Sequence, residues 1–408
     1  MEHLDAPQFL GLLVLVLALA KLFGFLAKRI GQPAVLGELV AGVVLGTSAL
    51  GLIRPDSQVF HLLSELGVVI LLVEIGLETD LGQLMRVGGA STAVAVAGVI
   101  LPFAGGYAAG LALGFSPLVS IVLGATLTAT SVGITARVLA DLGRLHDPES
   151  QVILGAAVID DVLGLIILAV VQRLAGGQDI SILGIAQISA VAFGFLIVTL
   201  VVGGWLVPRV IGWLGRRDVP GVATTSGLVL AFGLAWLAAR VGSAPIIGAF
   251  AAGLLLRRTS HAREIERGIT QLGHFFVPIF FVVVGAAVNL RVFNPLAPAN
   301  ADTLKIAGLL LVVGVLGKFL AGYAPYWFPG KKQVIGAGMI PRGEVGLIFA
   351  QMGLSAKIFT EALFSAATLV VMLTTFLAPP LLKFLLSPVA GGEKPSPPDG
   401  VQELVDEP

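Results

Sequence analysis

Long apolar runs, separated by short stretches of charged residues, glycine and proline, recur along most of the chain. Most runs approach the roughly 20 residues that an α-helix needs to cross a bilayer. Hydrophobic residues make up 56% of the 408 and charged residues only 12%, and the mean hydropathy is +0.98. This composition excludes a soluble globular protein. The pattern predicts an all-α polytopic membrane protein with about 13 transmembrane helices.

Charge and cysteine content narrow the topology and the partners. The 25 basic residues balance 25 acidic ones, so nothing favours nucleic acid as a partner, and the absence of cysteine excludes disulfides. An odd number of helices puts the termini on opposite sides. Most Lys and Arg then fall on the inner side when the N-terminus is outside, which makes the C-terminus cytoplasmic. Residues 388–408 are rich in Pro and Gly and are predicted to form a disordered cytoplasmic tail.

An internal repeat appears when the two halves are compared at an offset of about 211 residues. Residues 37–42 resemble residues 248–253, and residues 76–81 resemble residues 285–290. About seven helices precede the recurrence, and this odd number means that the second unit enters the membrane from the opposite face. The sequence therefore predicts an inverted repeat, in which secondary transporters place the substrate site near the midplane between the two halves.

Two adjacent carboxylates, Asp160 and Asp161, lie in the middle of one apolar run. A charge at that depth is costly, so such acids usually face a partner or a water-filled cavity. Lys318 lies in the middle of another apolar run, and pairing it with an acid is the cheapest way to keep both charges there. The alternatives are acids that only lock helix packing and a lysine that extends to the membrane interface.

Two further runs are predicted to be broken helices at equivalent positions of the repeat. Residues 126–135 concentrate β-branched and hydroxyl side chains, and residues 336–346 contain four glycines and a proline. Two unwound helices that cross there would present opposed half-helix ends, which can hold an ion. Thr130 and Ser131 are candidate ligands, while Arg342 and Glu344 are candidates for neutralising the helix ends. The alternative is a pair of ordinary packing helices that happen to contain glycine and threonine.

Three strings, residues 130–137, 158–165 and 341–348, resemble the cation:proton antiporter-2 family, most closely the NapA-type sodium/proton antiporters and more distantly NhaA. The resemblance implies an NhaA/NapA-like fold, no cofactor, a homodimer in membrane lipid, and elevator-like movement of one domain against another. It implies that Asp160 pairs with Lys318, and that Asp161 binds the cation or the proton. The implied domains are a dimerisation domain (1–86 and 219–292), a core ion-transport domain (87–176 and 293–387) and a linker helix (177–218).

Glu74 departs from the NapA-type pattern, which has an apolar residue at this position. Two interpretations are open: Glu74 lines an ion funnel, or it pairs with Lys21 across neighbouring helices.

The residues themselves also predict exchange. Na⁺ and Li⁺ are hard ions that suit carboxylate, hydroxyl and carbonyl oxygens. A carboxylate that binds either a proton or a cation makes a carrier exchange one for the other, so we expect an antiporter and not an enzyme, in a prokaryotic plasma (inner) membrane. Exchange is electrogenic if Lys318 also releases a proton, and electroneutral if it stays charged. The alternatives are K⁺/H⁺ exchange or K⁺ efflux on the same fold, a cation channel, and a sensor that transports nothing.

Overall fold

A computed structural model describes residues 5–47, 49–53, 57–79, 81–175, 182–214, 221–288 and 301–386. These residues are almost entirely α-helical, which confirms the predicted all-α class. The predicted tail, 388–408, lies outside the described residues. The helices are α1 Ala6–Arg29, α2 Ala34–Leu45, α3 Gln58–Glu78, α4 Leu81–Arg86, α5 Gly88–Ala112, α6 Pro117–Thr126, α7 Val132–Asp141, α8 Pro148–Ala175, α9 Ile182–Leu214, α10 Val222–Arg240, α11 Pro245–Leu256, α12 Ala262–Ala286, α13 Ala301–Ala321, α14 Lys332–Gly338, α15 Glu344–Ser355 and α16 Glu361–Leu386.

Nine of the described helices are long and apolar enough to cross a membrane: α1, α3, α5, α8, α9, α10, α12, α13 and α16. Shorter apolar helices, α2, α6, α11 and α15, accompany them. The predicted broken runs are interrupted between α6 and α7 and between α14 and α15. The number of membrane crossings stays a prediction.

Helix ends follow local chemistry. Asp5 caps α1, where its side chain accepts the backbone N–H of Gln8 at 2.8 Å, and Ser116 caps α6 just before Pro117. Both caps supply an acceptor to the first turn, whose N–H groups have no helical partner. Gly143, just after α7, has φ +66°, a left-handed conformation that glycine adopts without steric cost.

The predicted repeat has a counterpart in two equivalent glycine contacts. A Cβ on Gly42 of α2 would stand 2.8 Å from the Cα of Gly285 on α12. A Cβ on Gly76 of α3 would stand 2.9 Å from the Cα of Gly253 on α11. Both distances are too short for any side chain, so the helix backbones touch. These four glycines are those that the sequence comparison aligned, Gly42 with Gly253 and Gly76 with Gly285.

The helices pack in two groups. In the first group, α1 packs on α2, α2 on α12, α12 on α3, α3 on α11 and α11 on α10. In the second group, α5 packs on α6, α8 and α13, and α16 packs on α13, α14 and α15. Helices α7 and α9 contact both groups: α7 touches α2, α3, α8 and α16, and α9 touches α8, α10 and α11. The interrupted helices therefore belong mainly to the second group, with α7 on its boundary.

Candidate ion-binding site

The two interruptions, residues 127–131 and 339–343, cross each other. The backbone N–H of Ser131 donates to the carbonyl oxygen of Pro341 at 2.7 Å. Hydroxyl and β-branched residues weaken the first helix at this place, and the second is interrupted at Pro341 and Gly343. The crossing brings together backbone groups that a continuous helix would satisfy internally.

Hydroxyl groups from the first interrupted helix cap the C-terminal end of α14. Thr135 donates its hydroxyl to the carbonyl oxygen of Gly338 at 2.7 Å, and Thr130 donates to that of Met339 at 3.3 Å. Both threonines are buried. A threonine hydroxyl has one donor and two acceptor lone pairs, so the Thr130 oxygen retains acceptor capacity after donating.

Arg342 caps the C-terminal end of α6. Its guanidinium donates to the carbonyl oxygen of Leu127 through Nε at 3.2 Å and through Nη2 at 2.9 Å, and Nη2 also donates to Gly314 at 3.1 Å. The Thr375 hydroxyl of α16 donates to the Arg342 carbonyl at 2.6 Å. Arg342 is fully buried, so these contacts tie α6, α13 and α16 to the crossing.

The acid pair and the lysine lie beside this crossing. Lys318 Nζ on α13 is 3.2 Å from Asp160 Oδ2 and 3.4 Å from Asp160 Oδ1 on α8. Lys318 is 0% exposed, Asp160 1% and Asp161 8%, so the more accessible acid is the second one. Thr130 of the first interruption lies next to Asp160. Asp160 thus joins the lysine helix to the first interruption.

The match to a family model covers residues 14–387, nearly all of the described chain, and that model is described as the transmembrane sodium/hydrogen exchanger. The chain belongs to the sodium/hydrogen exchanger family.

Individual relatives agree with this assignment. The exchanger is 40% identical to the high-affinity Na⁺/H⁺ antiporter NhaS3 of Synechocystis, over 95% of this chain and 91% of that protein. It is 38% identical to the Na⁺/H⁺-K⁺ antiporter GerN of Bacillus cereus, over 92% of this chain and 96% of that protein. Its fold is similar to that of the sodium proton antiporter MjNhaP1 of Methanocaldococcus jannaschii, with a TM-score of 0.68 at 20% identity over 93% of this chain and 95% of that one.

The other predicted site residues of the exchanger have different surroundings. Ser131 is buried, and its hydroxyl oxygen would lie 2.8 Å from a Cβ on Gly343, so the two interruptions also touch here. Glu344 is the first residue of α15, and its side chain lies outside the described part of the chain. The structure therefore brings together Asp160, Lys318 and the two interruptions, and leaves the role of Glu344 a prediction.

Glu74 does not pair with Lys21. The described ion pairs of the exchanger include none between these two side chains, both of which are described. Glu74 Oε2 instead would lie 2.9 Å from a Cβ on Gly273, in the contact between α3 and α12. Lys21 is exposed on α1. The pairing interpretation is wrong because α3 packs chiefly on α11 and α12, and α1 chiefly on α2.

Sequence reasoning missed three contributors: Thr135, Thr375 and the Gly314 carbonyl. A signal existed for Thr375, because the repeat offset of about 211 residues sets Asp160 and Asp161 opposite residues around Met372 and Leu373, immediately before Thr374 and Thr375. No comparable signal marks the Gly314 carbonyl, since every residue carries such a group.

The donor set of the site suits a hard monovalent cation. Carboxylate, hydroxyl and carbonyl oxygens meet at the crossing, and its described residues include neither cysteine nor histidine. No cluster of three His, Cys, Asp or Glu residues able to hold a metal occurs in the described ranges. Two carboxylates with a paired lysine give a site whose charge changes when a proton or a cation arrives.

Proposed function

We propose that the exchanger is a secondary active transporter that exchanges Na⁺ or Li⁺ for H⁺ across a plasma (inner) membrane. The observation that carries the proposal is the buried Asp160–Lys318 ion pair next to Asp161, at the crossing of two interrupted helices. The family assignment and the names of the Synechocystis and Bacillus relatives support it.

In this proposal Asp161 binds the cation or the proton, and never both. Its 8% exposure, against 1% for Asp160, makes it the first acid that an ion from a water-filled opening would meet. Asp160, Thr130 and Ser131 complete the ligand set with carboxylate and hydroxyl oxygens. Because the empty, charged site is costly to carry through the membrane, the carrier moves when the site holds one ion or the other.

Lys318 compensates Asp160 while no cation is bound. A cation between the two aspartates competes with the ammonium for the Asp160 carboxylate and releases Lys318 from it. If the released Lys318 loses its proton, two protons move per cation and exchange is electrogenic. We propose this electrogenic form.

The two packing groups support a proposed elevator mechanism. We assign α1 to α3 and α10 to α12 to a dimerisation domain, and α5 to α8 and α13 to α16 to a core domain that carries the site. The support is that each group packs extensively within itself while α7 and α9 span the boundary between the two groups. Sliding of the core domain would then expose the site on alternate sides of the membrane in a homodimer.

K⁺ is a second candidate cation for the same site. GerN, whose name includes K⁺ as well as Na⁺, is 38% identical to the exchanger. The oxygen donor set at Asp161 accepts either ion, since both are hard cations.

Ion flux in proteoliposomes tests the proposal. Purified exchanger is reconstituted with an internal pH-sensitive dye, and Na⁺, Li⁺, K⁺ or choline is added outside. We expect saturable proton movement with Na⁺ and Li⁺ and none with choline. A proton current without a counter-cation would indicate a channel, and no proton movement with any cation would reject exchange.

Asp161→Asn and Asp302→Asn form a matched pair of variants for this assay. Both replace an aspartate by its neutral isostere, but Asp302 lies exposed on α13 and pairs with Lys305. Asp161→Asn should abolish exchange and Asp302→Asn should retain it. Exchange by Asp161→Asn at the parental rate would reject the assignment of Asp161.

A further inference from the structure

Pro102 interrupts the hydrogen bonds of α5 directly beside the candidate site. It is buried inside the helix. A proline has no backbone N–H, so the carbonyl of the residue four positions earlier, Gly98, cannot receive its usual helical donor. Gly98 is also buried. The exchanger therefore contains, in the wall of the site, a carbonyl that has lost its expected helical partner, and buried carbonyls normally have one.

The Lys318 ammonium lies next to Gly98. A Cβ on Gly98 would stand 3.5 Å from Lys318 Nζ and 3.8 Å from its Cδ. One residue earlier on α13, a Cβ on Gly317 would stand 2.9 Å from the nitrogen of Pro102. Consecutive residues of α13 thus lie against Gly98 and against the proline that frees its carbonyl. Since Gly98 has no side chain, nothing of its own separates its backbone from the ammonium.

Lys318 needs a second acceptor at one stage of the cycle. An ammonium group has three N–H donors, and the described part of the chain gives them only the two oxygens of Asp160. When a cation takes those oxygens, a buried ammonium without another partner is strongly unfavourable. The other charges around it are Asp160, Asp161 and Arg342. Helix α5 carries no charged residue, and those of α16 are near its ends.

We propose that the Gly98 carbonyl, freed by Pro102, is the acceptor that holds the Lys318 amino group while a cation occupies the aspartates. It accepts an N–H of the ammonium when Asp160 releases it, and an N–H of the neutral amine once the proton has left. A neutral acceptor serves this purpose because it does not compete with the acids for the cation. Pro102 is then a positioning residue: it acts on transport through the missing N–H of its own backbone. This inference rests on the proposed cation/proton exchange and adds two residues to it.

Replacing Pro102 by residues that restore the N–H tests the inference. Pro102→Ala and Pro102→Val both return the Gly98 carbonyl to the helix, although their side chains differ in size. In proteoliposomes at one fixed pH, we expect the KM for Na⁺ to rise by roughly two- to tenfold in both, as for loss of one buried hydrogen bond. The maximal rate should change much less, because only the cation-bound state loses a contact. A KM equal to that of the parent, or a rise that follows side-chain volume, would overturn the inference.

Pro208→Ala is the matched control, because Pro208 also interrupts a helix, α9, away from the site. Its KM should equal that of the parent. Gly98→Ala is a second, independent test. The added methyl group would stand 3.5 Å from the Lys318 ammonium, an ordinary contact that the fold tolerates. It would nevertheless obstruct the position beside Gly98 that the released Lys318 is proposed to occupy. The KM of Gly98→Ala should also rise, whereas Gly233→Ala, with open space around it, should leave KM unchanged. An unchanged KM in Gly98→Ala would also contradict the inference.

The assay separates the two proposals. A parent protein that gives no Na⁺-dependent proton movement rejects the proposed function. A parent that exchanges normally, with Pro102 variants of the same KM, rejects only the role of the Gly98 carbonyl.

Discussion

Lys318→Gln should destabilise the exchanger strongly, because it breaks a fully buried ion pair. The two charges are 3.2 Å apart and neither side chain is more than 1% exposed. At an effective dielectric constant of about 20, this separation corresponds to an attraction of about 5 kcal/mol. Removing one partner of a buried pair typically costs about 3–5 kcal/mol, since the other charge is left buried. Both routes give the same range for the loss of unfolding free energy.

Lys305→Gln is an internal standard for the measurement. Lys305 pairs with Asp302 at 3.1 Å on the same helix, but the two side chains are 77% and 88% exposed. Exposed pairs contribute about 0–1 kcal/mol. Denaturant midpoints of the purified protein in detergent should therefore fall far more for Lys318→Gln than for Lys305→Gln. Both substitutions remove a lysine charge of α13, and the N···O distances of the two ion pairs, 3.2 Å and 3.1 Å, are nearly equal.

A double-mutant cycle with Asp160→Asn distinguishes a pair from two separate effects. Removing both charges should cost less than the sum of the single substitutions, by about 2 kcal/mol or more, because no bare charge is left in the double variant. Additive losses would refute the reasoning, and so would a Lys318→Gln protein as stable as the parent.

Three further predictions concern other parts of the molecule. Thr135→Val should lower the unfolding free energy by about 1 kcal/mol, the value of one buried hydrogen bond, with the KM for Na⁺ unchanged in the flux assay. Thr130→Val should instead raise the KM for Na⁺, and interchanged effects would contradict this division of roles. Gly42→Ala should reduce the yield of folded protein in size-exclusion chromatography, because its Cβ would stand 2.2 Å from the carbonyl oxygen of Val282; Gly233→Ala, which meets nothing within 4 Å, should behave as the parent.

The sequence predicts those parts of the site whose residue types are energetically unfavourable where they stand, such as charges inside apolar runs. Asp160 and Lys318 are charges in apolar runs, and cost alone is enough to expect them together. The two interruptions are likewise visible, because proline, glycine and hydroxyl residues mark them. The inverted repeat follows from spacing, and Gly42 with Gly253 shows why: positions where backbones touch admit only glycine.

Other parts could not be predicted, because their acceptors are backbone carbonyls. The carbonyls of Leu127 and Gly338 lose their helical donors only when the chain is interrupted nearby, and which side chain reaches them depends on how two distant segments cross. A second reason explains why one of the two interpretations of Glu74, the pairing with Lys21, is not found among the described residues. The neighbours of Glu74 are set by which helices are adjacent, and a helix pattern gives no information about that adjacency.

The two caps at the crossing are alike in position and unlike in charge. The C-terminal end of an α-helix carries about half a negative elementary charge. At α6 the guanidinium of Arg342 adds a full positive charge, so about half a positive charge remains there. At α14 the hydroxyls of Thr130 and Thr135 add none, so the negative half remains. An architecture built from two similar halves thus carries an electric field across its own centre, and a cation at the crossing should lie nearer to the α14 end.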